Sequence, residues 1–303
     1  MQNIINEDNK SEKHNENLNE QSALVSNTEP AISENKDNSN LAENSNKKSK
    51  NRVLITLLVL GCIGIALVCL FFFIIRPAKE KTIEYNECVT IFNKKANEFN
   101  EIANLVDVNN ISGMANRIEQ LPLQDSSYYR VIRSLLKGNS LSKISKDINT
   151  IKNFTKDIDE DIVVLYKLNC PTKEWVIERL KTINLINGIE SVTKDNDPNG
   201  LLGKDDGGYK DCIYFSLSNI KQNEVDGDSI VDKGTDCGGA IEIFKTKEDA
   251  EARCEYLSEY DNTILYSGSY AIVGTMVVRV SYILTNEQQY YITDLIVSAF
   301  TAK

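Results

Sequence analysis

From Val53 to Ile75 the chain reads VLITLLVLGCIGIALVCLFFFII, twenty-three residues with no charge and no strongly polar side chain. Wound as a helix at about 1.5 Å per residue, the run is about 34 Å long, which exceeds the ~30 Å hydrocarbon layer of a bilayer. It reads as a membrane span. A cleavable secretory signal would start near residue 1 with an apolar core of roughly 7–15 residues, whereas this run starts fifty residues in. Val59-Leu60-Gly61-Cys62 resembles a lipid-modified cysteine box, but the apolar run continues past Cys62 to Ile75. An uncleaved signal anchor is therefore expected, with Cys62 and Cys69 as ordinary apolar residues within it.

The span divides the chain into a tail (1–50), the anchor (51–77) and a larger C-terminal part. Lys47, Lys48, Lys50 and Arg52 flank it on one side, and Arg76, Lys79 and Lys81 on the other. That difference is small for a positive-inside argument, but long domains translocate largely regardless of charge. The expected topology is single-pass in the cell membrane, with the N-terminus cytoplasmic and the C-terminal part extracytoplasmic. Residues 1–50 hold no aromatic residue and are crowded with Asn, Glu, Ser and Lys. Such a segment buries too little apolar surface to offset chain entropy and is expected to be disordered.

The residue types exclude much chemistry. His14, in the tail, is the single histidine, so no Ser-His-Asp, Cys-His or His-containing zinc arrangement can exist beyond the span. A formal charge of −10, with no basic run except Lys47 to Arg52, disfavours nucleic acid as a partner. The basic run suits anionic lipid instead. Beyond the span lie Cys88, Cys170, Cys212, Cys237 and Cys254, an odd number without CxxC spacing. Buried thiols are expected, with a Cys212–Cys237 bridge as the alternative.

Between residues 78 and 190 the apolar period is helical. Tyr85, Val89, Phe92, Ala96, Phe99, Ala103 and Val106 form one heptad stripe, bordered by Asn93, Asn97, Asn100 and Asn104. Leu141, Ile144, Ile148, Ile151, Ile158, Ile162 and Leu165 form a second, with Ser140 placed to cap its helix. A third helix follows Pro171, carries Trp175, Leu180 and Ile183, and stops at Gly188. The stripes predict an antiparallel helical bundle or a coiled-coil stalk, through which the chain would homodimerise if one stripe packs between copies.

Residues 191–303 change period. Ile213 and Phe215, Ile241 and Ile243, and Met276, Val278 and Val280 alternate with other residues, as strands of a half-exposed antiparallel sheet do. Thr246 with Asp249, and Thr285 with Gln288, read as helix-opening capping boxes. The fold class expected is α+β, a small antiparallel sheet with helices on one face.

Two loops carry oxygen-rich clusters. In Asp195-Asn196-Asp197-Pro198-Asn199-Gly200, Asp195, Asp197 and Asn199 fall at positions one, three and five of a calcium-type loop. Gly200 stands at six, and Asp206 at twelve where a Glu is usual. Calcium is the one cofactor this spacing allows, and a Pro-Asn-Gly turn with Asx bonds is the plainer account. Asp226, Asp228, Asp232 and Asp236 form a second acidic loop, which could pair carboxylates for hydrolysis of a wall polymer, the only enzymatic route the residue types leave open, and a solvated loop between strands is the plainer account.

The runs VTKDNDPNGLLGKDDGGYKDCIYF, KGTDCGGAIEIFKTKEDAEARCEYL and GSYAIVGTMVVRVS together resemble a family of uncharacterised membrane-anchored or lipoprotein-like surface proteins of Gram-positive bacteria. The resemblance covers about the last third of the chain. It implies a bacterial cell-envelope setting and carries over no catalytic residue. The function expected is non-enzymatic binding of a protein or cell-wall component at the membrane. The alternatives are a calcium-stabilised adhesion module and the hydrolase.

Overall fold

The computed structural model describes residues 38–303, with side chains from Lys48 onward. For residues 1–37, the expected disordered tail and His14 lie outside the described residues. Helix α1 (Asn38–Leu70) already runs through 38–50, so the end of the expected tail is helical. From Lys48 the chain is one helix to Ala103, passing through a π-helical turn at Phe71–Ile75 into α2 (Arg76–Ala103). It is one helix with the length and composition to cross a membrane, and its apolar side chains from Val53 on stand exposed.

Helix α2 buries Val89, Phe92, Ala96, Phe99 and Ala103, the heptad stripe read from the sequence. Its partner is α4 (Leu141–Leu168), which buries Ile144, Ile148, Ile151, Ile158, Ile162 and Leu165 and starts at the Ser140 cap. Each such apolar side chain taken out of water contributes about 1.5–3 kcal/mol. The two helices run parallel: Lys152 of α4 meets Glu84 at 3.1 Å, and Asp159, a turn or two further along, meets Lys95 at 2.7 Å. The antiparallel bundle expected from the stripes is corrected on this point. A heptad stripe fixes which face is apolar and says nothing of direction. Direction is set by the connection, which here returns the chain to the start of α2 before α4 begins.

That return is an extended segment held by asparagines. The Asn86, Asn93 and Asn100 side-chain amides each donate to one backbone carbonyl and accept from the N–H of the same residue. Their partners are Gln124, Leu121 and Ile118, at 2.7–2.9 Å. Seven residues of helix advance about 10.5 Å and three residues of extended polyproline-like chain about 9 Å, so the two repeats stay in step. Pro122, which has no N–H, falls between the gripped positions. Helix α3 (Tyr128–Leu136) then leads to α4.

Both helices end on one hairpin. The five-stranded sheet has order β1-β2-β3-β5-β4 and is antiparallel throughout, with β1 Ile186–Ser191, β2 Asp211–Leu217, β3 Gly238–Ile243, β4 Gly268–Val273 and β5 Met276–Ser281. At the β4–β5 turn Gly274 exchanges two backbone bonds with Asp107, while Thr275 N–H donates to the Leu168 carbonyl at 3.1 Å. Gly274 holds φ +67°, and a Cβ there would strike the Leu168 carbonyl. Only glycine suits both constraints. One apolar cluster consequently runs from Val89 and Ile148 to Ile213, Phe215, Ile241 and Val278.

The third helix, α5 (Lys173–Leu180), is shorter than the sequence implied. Ile183 lies beyond it, and Gly188 falls inside β1. Glycine suits this place in the strand because a Cβ would meet Ser216 Oγ and the Ile230 side chain. Helix α8 (Asn286–Thr301), opened by the Thr285–Gln288 capping box, adds Ile292, Ile296 and Phe300 to the sheet face already described. The opposite face is covered too, by α7 (Lys247–Ser258) and the short α6 (Ile230–Lys233) through Ala250, Leu257 and Val231. Helices on one face are thus corrected to helices on both, and every residue of β3 is buried.

Candidate functional site

The reason the second face misleads is Glu242. Flanked by Ile241 and Ile243 it looks like the solvent side of a strand, yet it is 0% exposed. Its neighbour on β5 in the ladder is Val277, and Arg279 lies diagonally across on the same face, within reach of a long side chain. Arg279 Nη1 donates to Glu242 Oε1 at 2.9 Å. From α7, about two turns in from the Thr246 cap, Arg253 donates through Nε and Nη2 to both carboxylate oxygens at 2.8 and 2.9 Å. Burial would raise the Glu242 pKa, but Arg253 and Arg279 together hold it below the usual carboxylate range. Two guanidiniums serve one carboxylate, so the buried triad carries an excess positive charge.

Beside the triad lies a cleft of about 650 Å³ between α7, the loop after β1 and the segment before β4, and the buried Glu242 is not part of its lining. Both arginines line it, with Tyr256, Tyr260, Leu201, Leu257 and Leu265 among its walls. The two tyrosine rings pack edge to face at 5.3 Å, and Arg253 lies 5.4 Å from the Tyr256 ring centre. Arg279 Nη2 also donates to Ser267 Oγ at 2.9 Å, fixing its plane. Each guanidinium has five N–H donors, and most remain unused by these contacts. Asp249, the acidic residue on the wall, accepts from the Thr246 hydroxyl at 2.8 Å. The arrangement can take an anionic group beside its arginines and an apolar or aromatic portion against its walls.

Of the calcium-type set, Asp197 is an organiser of the loop itself. Its carboxylate accepts from Asn199 N–H at 3.0 Å, from Leu202 N–H at 2.7 Å and from the Tyr209 hydroxyl. Burial raises its pKa, and the Tyr209 hydroxyl with the two amides more than reverses that. This is the geometry of the Asx turn. Asp195, Asn199 and Asp206 are exposed, and Gly200 takes φ +58°. Among the described residues no three or more His, Cys, Asp or Glu side chains are grouped to hold a metal. In the second acidic loop Asp232 completes the α6 capping box with Ser229, Asp226 and Asp228 are exposed, and burial pushes Asp236 up.

All the described cysteines are free. The Cys212–Cys237 bridge is corrected by the register. Ser216 pairs with Gly238, so Cys212 sits four residues, about 13 Å, along the strand from Cys237's neighbour. Cys237 instead donates to the Gly234 carbonyl at 3.2 Å, and burial pushes its thiol up to about 11. Burial likewise pushes Cys254, the residue after Arg253, up to about 12.

Sequence reasoning missed the triad. Its signal was available: one acidic and one basic residue, Glu242 and Arg279, each alone in an otherwise apolar strand. Compared with known proteins, the chain matches no family model, no curated protein and no solved structure.

Proposed function

We propose that this chain is a single-pass membrane protein, N-terminus cytoplasmic, whose extracytoplasmic α+β body is a non-enzymatic binding module. Its ligand combines an anionic group with an apolar or aromatic portion. One observation carries the reading: two buried guanidiniums that share a single carboxylate line a tyrosine-walled cleft. Charge-assisted donors held in a low-dielectric lining recognise anions strongly, and the aromatic walls supply area at little entropic cost. Binding is favoured over catalysis by the residue types. A guanidinium is a poor acid-base group, Asp249 accepts from the Thr246 cap hydroxyl at 2.8 Å, and burial pushes the Cys254 thiol up to about 12.

The test uses full-length protein in nanodiscs and two minimal probes, benzoate and phenyl phosphate. At ten times its dissociation constant a ligand stabilises by about 1.4 kcal/mol. For a body of this size that raises the melting temperature by about 3–5 °C. A saturable rise that is abolished by Tyr256→Ala with Tyr260→Ala supports the reading. Equal responses of wild type and double variant, or none with either probe, refute it.

A further inference from the structure

We infer that α3 is a second membrane contact, an interfacial helix seated at the exit of the span against anionic lipid headgroups. It rests on the reading of Val53 to Ile75 as a span, and the experiment below separates the two.

Ser127 caps α3, its Oγ accepting from Arg130 N–H at 3.4 Å, and Val131 buries the side that faces the body. Tyr129, Ile132 and Leu136 follow at three- and four-residue steps, which puts them on one face. They are 67%, 38% and 83% exposed, so Tyr129 and Leu136 stand largely open and Ile132 in part. Arg130, Arg133 and Lys137 repeat the same steps on the adjoining flank. The exposed half of the helix is therefore divided lengthwise into an apolar strip and a basic strip, the pattern of helices that lie in a bilayer interface.

Position identifies what covers the apolar strip. Tyr128, the first residue of α3, packs its ring on Phe71 at 5.7 Å, and Lys79 Nζ sits 3.9 Å from the same ring. Phe71 lies inside the apolar run, four residues or about 6 Å before its last residue. Interfacial helices sink their apolar faces about 5–10 Å, so α3 is held at the depth such a helix occupies. Tyr128 and Tyr129 suit the headgroup level, where aromatic residues concentrate. The local charge balance favours anionic lipid. Of the carboxylates along this stretch, Glu80 pairs with Arg76 at 3.0 Å, Glu84 with Lys81 at 2.7 Å and Lys152 at 3.1 Å, and Asp125 lies 3.6 Å from Arg130. Among the described residues Arg133, Lys137 and Lys79 form no ion pair.

The experiment places single tryptophans in full-length protein, Ile132→Trp, Leu60→Trp and Val163→Trp, each in nanodiscs of phosphatidylcholine and phosphatidylglycerol. Lipids with and without brominated acyl chains are compared, and the native Trp175, packed on Phe300, gives a constant background to subtract. The Ile132→Trp signal is expected to lose roughly half its intensity in brominated lipid, with Leu60→Trp losing more and the exposed α4 site Val163→Trp unchanged. Quenching at residue 60 with residue 132 behaving as residue 163 overturns the interfacial helix and leaves the span standing. No quenching at residue 60 overturns both. Equal quenching at residues 132 and 163 also overturns it, since the body would then be adsorbing without orientation. Substituting Arg133 and Lys137 by Ala is expected to reduce quenching at residue 132 in the anionic discs, and an unchanged value removes the headgroup part of the inference.

Discussion

Replacing Glu242 by glutamine keeps the shape of the side chain and removes its charge. In the folded protein Glu242 is fully buried and accepts three N–H bonds at 2.8–2.9 Å, two from Arg253 and one from Arg279. Both guanidiniums are themselves at most 10% exposed. Glutamine would leave two buried cations facing each other, with an NH₂ group directed at one of them. Removing one partner of a buried ion pair costs about 3–5 kcal/mol. At about 2–4 °C per kcal/mol for a body of this size, the melting temperature should fall by about 6–20 °C. The assay is thermal unfolding of full-length protein in detergent, followed by near-ultraviolet circular dichroism. A compensated variant, Glu242→Leu with Arg253→Met and Arg279→Met, should recover much of the loss, because it removes the stranded charges together. The same group sets an acid limb. Its folded pKa lies below the ordinary value of 4.5, so its stabilisation is fully present above that value and is lost as pH falls through the folded pKa. Glu242→Gln should flatten that limb. If Glu242→Gln melts within about 2 °C of wild type, the triad does not hold α7 to the sheet in the way argued.

Three further outcomes test the frame around the cleft. Asn93→Ala removes two hydrogen bonds to Leu121, worth about 1–3 kcal/mol together, so the Leu121 amide should exchange with solvent about 5- to 150-fold faster. Asn97→Ala, which loses only a contact with the Gln120 side chain, should change little there. Gly274→Ala forces a side chain into φ +67° at about 1–2 kcal/mol and against the Leu168 carbonyl besides. It should lower the melting temperature and release the Asp107 amide from protection, whereas wild-type exchange there would count against the junction. Asp197→Ala removes the acceptor of three hydrogen bonds in the loop after β1, and faster exchange at the Leu202 amide is expected. With Asp197 engaged in this way, millimolar calcium should leave the wild-type melt unchanged, and a rise of several degrees would restore the calcium loop.

Much of the frame was legible in the residues because apolar spacing and capping are local. The stripes on α2 and α4, the Ser140 and Thr285 caps and the alternation in β2, β3 and β5 all depend on neighbours within a few positions. Strand β1 was not legible, because Ile186-Asn187-Gly188 reads as a helix stop until Ser216 and Leu217 supply its partner. The direction of α4 was hidden for a related reason. It depends on the stretch between Asn104 and Ser140, whose extended path is set by side-chain amides thirty or so positions back along the chain. The Asn border was visible beside the stripe. Its meaning required Asn86 as well, which completes a repeat of seven with Asn93 and Asn100.

The cleft shows the sharper limit. A period-two pattern assigns a polar residue to water by default, and Glu242 obeys the pattern while violating the inference. What distinguishes it is a second strand with a lone charge of opposite sign at a compatible phase, Arg279, and a helix carrying Arg253 on its inward side. A single carboxylate needs only one cation to be neutralised at that depth. Arg253 already binds both oxygens, so Arg279, which also donates to Glu242 at 2.9 Å, brings a second positive charge to it, and Ser267 fixes the other side of its guanidinium beside the cleft it lines. An unneutralised buried cation is costly unless something anionic or well hydrated completes it. That surplus positive charge beside the cleft is what the proposed binding reading rests on.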